Sequence, residues 1–123
     1  MPEHYHAVGK TGEEMAIQFL LQQGYQVLER NYRCRFGEID LIARDGSTLA
    51  FIEVKTRRSQ KFGPAAAAVT LEKQRHLVKA SQIYLTRTRK TDELCRFDVV
   101  AIELDALTSH IELIKDAFQA SSD

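Results

Sequence analysis

GEIDLIA at residues 37–43 and FIEVK at residues 51–55 are the segments that decide the fold of this chain. Both segments are apolar runs with the length and composition of β-strands, yet each contains acidic side chains. Burying a carboxylate in such a run costs stability unless the group is paired or holds a metal ion. The two segments therefore predict strands and, within them, a site that uses acids.

The two runs are joined by Arg44-Asp45-Gly46-Ser47, and an Asp-Gly pair favours a type I′ hairpin turn. With Asp45-Gly46 as the turn, Asp40 faces Phe51 and Glu38 faces Glu53. Side chains alternate along a strand, so one face carries Glu38, Asp40, Phe51, Glu53 and Lys55. The other face is apolar and is expected to carry the core, with Ile39, Leu41, Ile52 and Val54.

In this hairpin Asp40 and Glu53 are diagonal neighbours, with Cα atoms roughly 7–8 Å apart. Their carboxylates can converge on one ion, with Lys55 beside them. Magnesium prefers one or two carboxylates together with water and a phosphate oxygen. The alternative is a surface hairpin with an ordinary Glu–Lys pair, which would be common for any one of these residues.

The spacing of Asp40, Glu53 and Lys55 resembles the D…ExK core of the PD-(D/E)xK nuclease superfamily. GEIDLIA, FIEVKTR and the later RFDVV resemble the YraN family of small bacterial proteins, which are similar to archaeal Holliday-junction resolvases. The resemblance extends from about residue 9 to residue 118. It implies an α/β fold with a restriction-endonuclease-like core, in which a mixed sheet of about five strands is flanked by helices.

The resemblance also implies phosphodiester hydrolysis, with Asp40, Glu53 and Lys55 as catalytic residues. A Mg²⁺ or Mn²⁺ ion would be held by Asp40 and Glu53 with help from Glu13, and Lys55 would orient the attacking water or neutralise charge. Ile39 replaces the proline of the superfamily label, a position that varies among such enzymes. Resolvases act as dimers, so a homodimer is implied by the same analogy.

Glu13 lies within the apolar stripe of a helix predicted from about Thr11 to Gln23, where Gly24 is the stop signal. An acid on the packing face of a helix needs an explanation. In the related resolvases a helix glutamate after a glycine reaches the metal site, and that role is carried over to Glu13. The alternative is a helix-start glutamate that is favoured by the macrodipole.

A second helix is predicted from the N-cap Thr70 to about Thr86. Lys73 and Gln74 project near its apolar stripe, and many nuclease relatives place a polar helix residue there to support the site. The predicted supporting residues are therefore Glu38, Lys73 and Gln74. Ordinary snorkelling of the Lys73 side chain is the alternative.

Net charge is zero, with 17 basic and 17 acidic residues, but the basic residues are clustered. The segment from residue 73 to residue 90 contains basic side chains and no acid, and a second basic group surrounds the hairpin. A local positive field can bind a phosphate backbone even on a neutral protein. The predicted nucleic-acid contacts are Arg57, Arg58, Lys61, Arg75 and Lys79; the alternative is a solvated basic face.

The predicted path is helix, three strands, helix and two strands, in one domain over residues 1–123. Residues 1–8 are expected to form a flexible arm and residues 119–123 a flexible tail. The hydrophobic content of 44 % supports a single core. No run approaches the roughly 20 apolar residues of a membrane span, and the start lacks a signal-peptide pattern. Cys34 and Cys95 lie far apart in the sequence and have no CxxC spacing. They are expected to be free thiols in a reducing cytoplasm.

The sequence thus predicts a Mg²⁺-dependent endonuclease that acts on nucleic acid, with DNA the expected substrate and branched or recombination intermediates among its forms. The alternative is a nucleic-acid-binding protein that keeps the fold and the acids with weak or no turnover. A third class, an enzyme with another kind of substrate, has no supporting motif: there is no P-loop, no Rossmann glycine pattern and no nucleophile setting.

Overall fold

The computed structural model describes the backbone of residues 2–58, 69–104 and 109–120, and the side chains in these ranges from residue 12 onward. In these ranges two helices and five strands follow one another in the predicted order. They are α1 (Pro2–Gln22), β1 (Gln26–Cys34), β2 (Gly37–Asp45), β3 (Thr48–Arg57), α2 (Leu71–Arg87), β4 (Leu94–Leu104) and β5 (Ser109–Phe118). Neither helix in these ranges is long and apolar enough to span a membrane.

The strands form one mixed sheet in the order β1-β2-β3-β4-β5. Neighbouring strands are antiparallel except β3 and β4, which run parallel. A parallel pair needs a long crossover connection, and α2 lies in the connection between β3 and β4. The predicted α/β fold class is confirmed, and the mixed five-stranded sheet with two helices is consistent with a restriction-endonuclease-like core.

Each face of the sheet packs against one helix. Ala16, Ile17 and Leu20 of α1 share a buried cluster with sheet residues that include Leu41 and Ile52. On the opposite face, α2 packs against the sheet through a second cluster. Because both faces are covered, the centre of β3 is buried continuously from Leu49 to Glu53. A carboxylate in that run therefore lies in the interior, and Glu53 is only 5 % exposed.

The hairpin between β2 and β3 forms as predicted, but its turn is placed one residue later. Asp45 pairs with Thr48, so Gly46 and Ser47 are the turn residues. Gly46 has a φ of +62° and Ser47 has no positive φ. That pattern suits a turn with glycine at its first central position and not type I′, which needs a positive φ at both. The register shifts by two residues as a result, and the parity of the faces is kept.

The predicted faces of β2 need one correction, at Ile39. Ile39 belongs to the cluster on the α2 side, whereas Leu41 belongs to the cluster on the α1 side. The alternation breaks opposite Asn31, which lies between the pairs Arg30–Leu41 and Tyr32–Ile39 and has a φ of +53°. The pairing register is the same on both sides of Asn31, and the irregularity of β1 lies between Val27 and Glu29. Phe51 also packs on the α2 side.

The helix boundaries agree with the sequence best at α2. Thr70 is its N-cap and accepts a hydrogen bond from the Lys73 backbone N at 3.1 Å. Helix α1 begins at Pro2 and not at Thr11, so it includes residues 2–8, whose predicted mobility stays a prediction. The strand β5 is longer than expected, and Phe118 at its end stacks on Phe97 with ring centroids 4.9 Å apart.

The RFD part of RFDVV forms a buried polar network. Asp98, which is 1 % exposed, accepts hydrogen bonds from Tyr25 Oη at 3.0 Å, Arg96 Nε at 2.8 Å and the Asp116 backbone N at 2.9 Å. Arg96 also bonds Asp45 Oδ2 at 2.8 Å, beside the hairpin turn. The network connects β2, β4, β5 and the residue before β1, and its role is structural.

Asp98→Asn is expected to lower the free energy of unfolding by roughly 1–3 kcal/mol, because an amide cannot accept all of the bonds from Tyr25, Arg96 and the Asp116 N, although Arg96 keeps its contact with Asp45. Glu93→Gln is the control, since Glu93 makes a half-exposed ion pair with Arg44 at 2.9 Å and its loss should cost about 1 kcal/mol or less. Urea unfolding followed by circular dichroism measures both. Equal effects of the two substitutions would contradict the structural role of the network.

Candidate active site

The candidate site lies where the backbone ladder between β2 and β3 ends. The last recorded pair is Leu41 with Ile52. One residue further on, the Asp40 side chain takes the place of a backbone acceptor, and its Oδ2 accepts a hydrogen bond from the Val54 N at 2.8 Å. The two strands therefore hold a carboxylate between them. Asp40 and Glu53 follow directly after this last pair, one on each strand.

Glu53 is buried without full compensation. Its Oε1 lies 3.8 Å from Lys73 Nζ, which is a long ion pair, and its Oε2 has no hydrogen-bond partner among the residues that the structure describes. A buried carboxylate oxygen without a partner costs free energy that a folded protein normally avoids. The Lys73 side chain is one of the three predicted supporting residues, and the structure brings it to the acids.

The two carboxylates oppose one another's ionisation. Burial, and next the negative charge of Asp40, raise the pKa of Glu53 to about 7, while Lys73 and Lys55 act in the opposite direction. Burial also raises the pKa of Asp40, against the hydrogen bond from Val54 N, and the charge of Glu38 adds to the rise. The site is thus short of positive charge.

Glu13, Asn31 and Glu38 complete an open groove beside Asp40. The groove has a volume of about 430 Å³, and its walls also include Lys55 and Thr56. With the Asn31 carboxamide oriented by its hydrogen-bond partners, its nitrogen donates to Glu38 Oε1 at 2.7 Å and to Glu13 Oε1 at 2.8 Å. Helix α1 therefore brings Glu13 into the groove that Asp40 lines, as the sequence predicted.

Gly12 explains how α1 comes so close to β3 at this point. A Cβ atom on Gly12 would lie 2.5 Å from Thr56 Oγ1, which is closer than real Cβ contacts. Only glycine permits this approach of the helix backbone without displacing the threonine. Gly12 thus allows α1 to bring the neighbouring Glu13 close to the sheet.

A ready-made metal cage is not present. Within residues 12–58, 69–104 and 109–120, no three His, Cys, Asp or Glu side chains gather closely enough to hold a metal by themselves. Asp40 and Glu53 are the two acids that are most affected by burial and by neighbouring charge, so they are the candidate metal ligands. The role of Glu13 as a third ligand stays a prediction. Lys55 lines the groove next to this pair, in the position predicted for a catalytic lysine.

The other predicted residues are spread more widely. Gln74 donates to the Val69 carbonyl at 3.0 Å, which ties down the start of α2. Arg57 pairs with Glu103 Oε1 at 3.3 Å because the parallel register places the two residues opposite one another. This arginine therefore forms an ion pair between β3 and β4. Arg58, Arg75 and Lys79 are exposed, and Lys61 lies outside the described residues.

Sequence reasoning missed Asn31 and Asp98. Asparagine is depleted in strands and is one of the few residues that tolerate a left-handed φ, so its place in β1 was a usable signal. Asp98 was visible within RFDVV, but its partners come from elements far apart in the sequence. Nothing local identifies them.

The mixed sheet and the acidic groove define an α/β protein whose architecture is consistent with a restriction-endonuclease-like core. Residues 12–102 match the model of the uncharacterised protein family UPF0102, and the chain belongs to that family, which confirms the YraN expectation.

Relatives with the same description support this assignment. A UPF0102 protein of Syntrophus aciditrophicus is 54 % identical over 111 residues, which cover 90 % of this chain and 87 % of the relative. A UPF0102 protein of Geobacter metallireducens is 45 % identical over 119 residues, which cover 97 % of this chain and 98 % of that protein.

The buried acid pair predicts a pH-dependent stability. The pKa of Glu53 is about 7 in the folded protein against an ordinary value of 4.5, so folding binds a proton between these values. Stability should therefore fall as the pH rises from about 4.5 to 7. In Glu53→Gln this loss should disappear, and the protein should be more stable than wild type at pH 8 by on the order of 1–3 kcal/mol.

Thermal unfolding in EDTA at several pH values tests this expectation. Glu112→Gln, at an exposed position of β5, is the control and should keep the wild-type pH dependence. A Glu53→Gln protein with the pH dependence of wild type would show that Glu53 is not the group that titrates.

Proposed function

We propose that this protein is a divalent-metal-dependent endonuclease that hydrolyses phosphodiester bonds in DNA. One observation carries the proposal: Asp40 and Glu53 are held together at the end of a strand ladder, and within the described ranges Glu53 Oε2 has no hydrogen-bond partner. Two lysines, Lys55 and Lys73, flank the pair. A cluster of acids that is unsatisfied in the protein alone suits a ligand with positive charge.

Mg²⁺ or Mn²⁺ fits this donor set. A divalent cation would remove the repulsion that raises the pKa of both acids, and it would give Glu53 Oε2 a partner. Magnesium needs only one or two carboxylates, with water and phosphate oxygens completing its shell. Asp40 and Glu53 would hold the ion, with Glu13 as the proposed third ligand. Such an ion lowers the pKa of bound water and stabilises negative charge on phosphate.

The protein's own residues have distinct tasks in this proposal. Lys55 lines the groove and would donate to the phosphate oxygens as their charge develops. Lys73 lies beside Glu53 on the α2 side and favours its ionised form. Asn31 fixes the carboxylates of Glu13 and Glu38, so that the groove keeps its shape when a substrate enters.

The likeness to the D…ExK pattern and to resolvases supports this reaction class. The open groove admits a phosphodiester without a large movement of the chain, and Arg58 is exposed at the end of β3 for backbone contact. By the same analogy, branched DNA is the proposed substrate form and a homodimer the proposed assembly.

A second function is a nucleic-acid-binding protein with the nuclease fold and little turnover. The exposed side chains of Arg58, Arg75 and Lys79 favour it, because phosphate binding through such residues needs no metal. Cleavage and binding assays on the same samples separate the two functions.

Asp40→Asn and Glu53→Gln are each expected to lower Mg²⁺-dependent cleavage by roughly 100-fold or more, with DNA binding largely retained. Each change removes a charge and keeps the shape. Lys55→Ala should lower turnover by a similar factor while metal binding persists. Cleavage of single-stranded, duplex and four-way DNA, with calorimetry for Mg²⁺ and Mn²⁺, measures these effects, and Glu112→Gln is the control.

Wild-type protein that binds DNA but neither binds metal nor cuts any of the three forms would favour the binding function. Cleavage that persists unchanged in Asp40→Asn would mean that the site lies elsewhere or that another nuclease contaminates the sample.

A further inference from the structure

The turn between β1 and β2 carries an aromatic ring with two cations. The Arg35 guanidinium carbon lies 4.8 Å from the centroid of the half-buried Phe36 ring, and Lys79 Nζ of α2 lies 5.3 Å from it. Phe36 and Lys79 also line an open groove of about 490 Å³ along α2, together with Arg87. We call this surface, formed by Arg35, Phe36, Lys79 and Arg87, the Phe36 platform.

The platform is held in place by the packing beneath it. Tyr32 of β1 packs edge-on against Tyr84 of α2 with ring centroids 5.3 Å apart, and its hydroxyl accepts a hydrogen bond from Arg87 Nη1 at 3.1 Å. Gly37, which follows Phe36, lies against His76. These contacts fix the turn relative to α2, so Phe36 is presented in a defined position.

The charge of the platform is not neutralised by the protein. In the described part of the chain, Arg35 and Lys79 form no ion pair with a carboxylate, and Arg87 bonds only the Tyr32 hydroxyl. The sequence from residue 73 to residue 90 also lacks any acid. An aromatic ring surrounded by unneutralised cations complements a ligand with a flat ring and a negative backbone.

We propose that the Phe36 platform binds an unpaired nucleotide of a nucleic-acid strand, with the base stacked on Phe36 and the adjacent phosphates held by Arg35, Lys79 and Arg87. This inference rests on the proposed function in that it names the form of substrate. A base stack on an aromatic ring contributes more than an exposed cation–π contact. A base can therefore displace one cation from the ring, and that cation then meets a phosphate.

The position of the platform links it to the acidic groove. Phe36 precedes β2, and Asp40 follows four residues later, roughly 13 Å away along an extended strand. A strand that lies across the acids can therefore reach Phe36 within a few nucleotides. In a continuous duplex the bases are stacked inside and cannot reach the ring. The platform thus selects substrates with unpaired nucleotides near the scissile bond.

A tryptophan reporter tests the stacking directly. The chain contains no tryptophan, so Phe36→Trp supplies a single fluorophore on the platform. Leu94→Trp is the matched control, because Leu94 is 69 % exposed and begins β4 beside Thr48, near the β2–β3 turn at the other end of the sheet. Titration with oligo(dT) in EDTA should quench the fluorescence of Phe36→Trp and leave that of Leu94→Trp unchanged.

Affinity measurements give the second readout. By fluorescence anisotropy in EDTA, Phe36→Ala should weaken binding of single-stranded DNA by roughly 5- to 100-fold and that of duplex DNA by less than about 2-fold. Lys79→Ala should weaken both and reduce the dependence of binding on salt. The same titration with single-stranded RNA shows whether the platform distinguishes the two sugars. Circular dichroism confirms that each variant is folded.

The outcomes separate this inference from the nuclease proposal. Unquenched Phe36→Trp, or equal loss of single-stranded and duplex affinity in Phe36→Ala, would overturn the platform even if the protein cuts DNA. Quenching and selective loss would support it even if no cleavage is found, because neither measurement needs metal or turnover.

Discussion

The separation of β2 and β3 after the pair Leu41–Ile52 is the constraint on which the candidate site depends. Where two paired strands part, backbone donors lose their partners and must find others. Here the Asp40 carboxylate accepts the bond from Val54 N, and this places an acid inside the sheet beside the buried Glu53. The same contact that completes the backbone bonding of β3 therefore creates the electrostatic conflict between the two carboxylates.

A comparison of the two buried acids shows how differently the fold treats them. Asp98 accepts bonds from Tyr25, Arg96 and the Asp116 backbone, and its charge is matched by a guanidinium. In the described part of the chain, Glu53 has one long contact to Lys73, and its Oε2 has no hydrogen-bond partner. The sheet can thus satisfy a buried carboxylate completely at Asp98 and leaves one unsatisfied at Glu53. Unsatisfied groups in native structures concentrate where a ligand supplies what is missing, and this favours a ligand site at Glu53 over one at Asp98.

The sequence predicted the order of the helices and strands because the relevant signals are local. The turn between GEIDLIA and FIEVK was predicted one residue too early. The predicted common face of Asp40 and Glu53 is unaffected, because a register shift of two residues keeps each side chain on its face. Glu13 was found because an acid interrupts an apolar helix stripe. The partners of Arg57 and Asp98 were not predictable, because they depend on the parallel register of β3 with β4 and on chain segments far apart. Ile39 was misplaced because the regular alternation of GEIDLIA gives no sign that Ile39 and Leu41 pack against different helices.

The zero net charge of the chain conceals two fields of opposite sign. Acids gather at the separated ends of β2 and β3, while α2 presents basic side chains without intervening acids. The Glu53–Lys73 contact at 3.8 Å joins the acids to α2, and Glu38 contacts Arg33 of β1 at 3.4 Å; both contacts are long. Weak internal neutralisation leaves each field available to a ligand. Without a metal ion, the acids repel a polyanion, and the basic helix alone would hold it away from the groove. A cation bound in the groove turns this repulsion into attraction. Metal and nucleic acid should therefore bind with positive coupling, each making the site more favourable for the other.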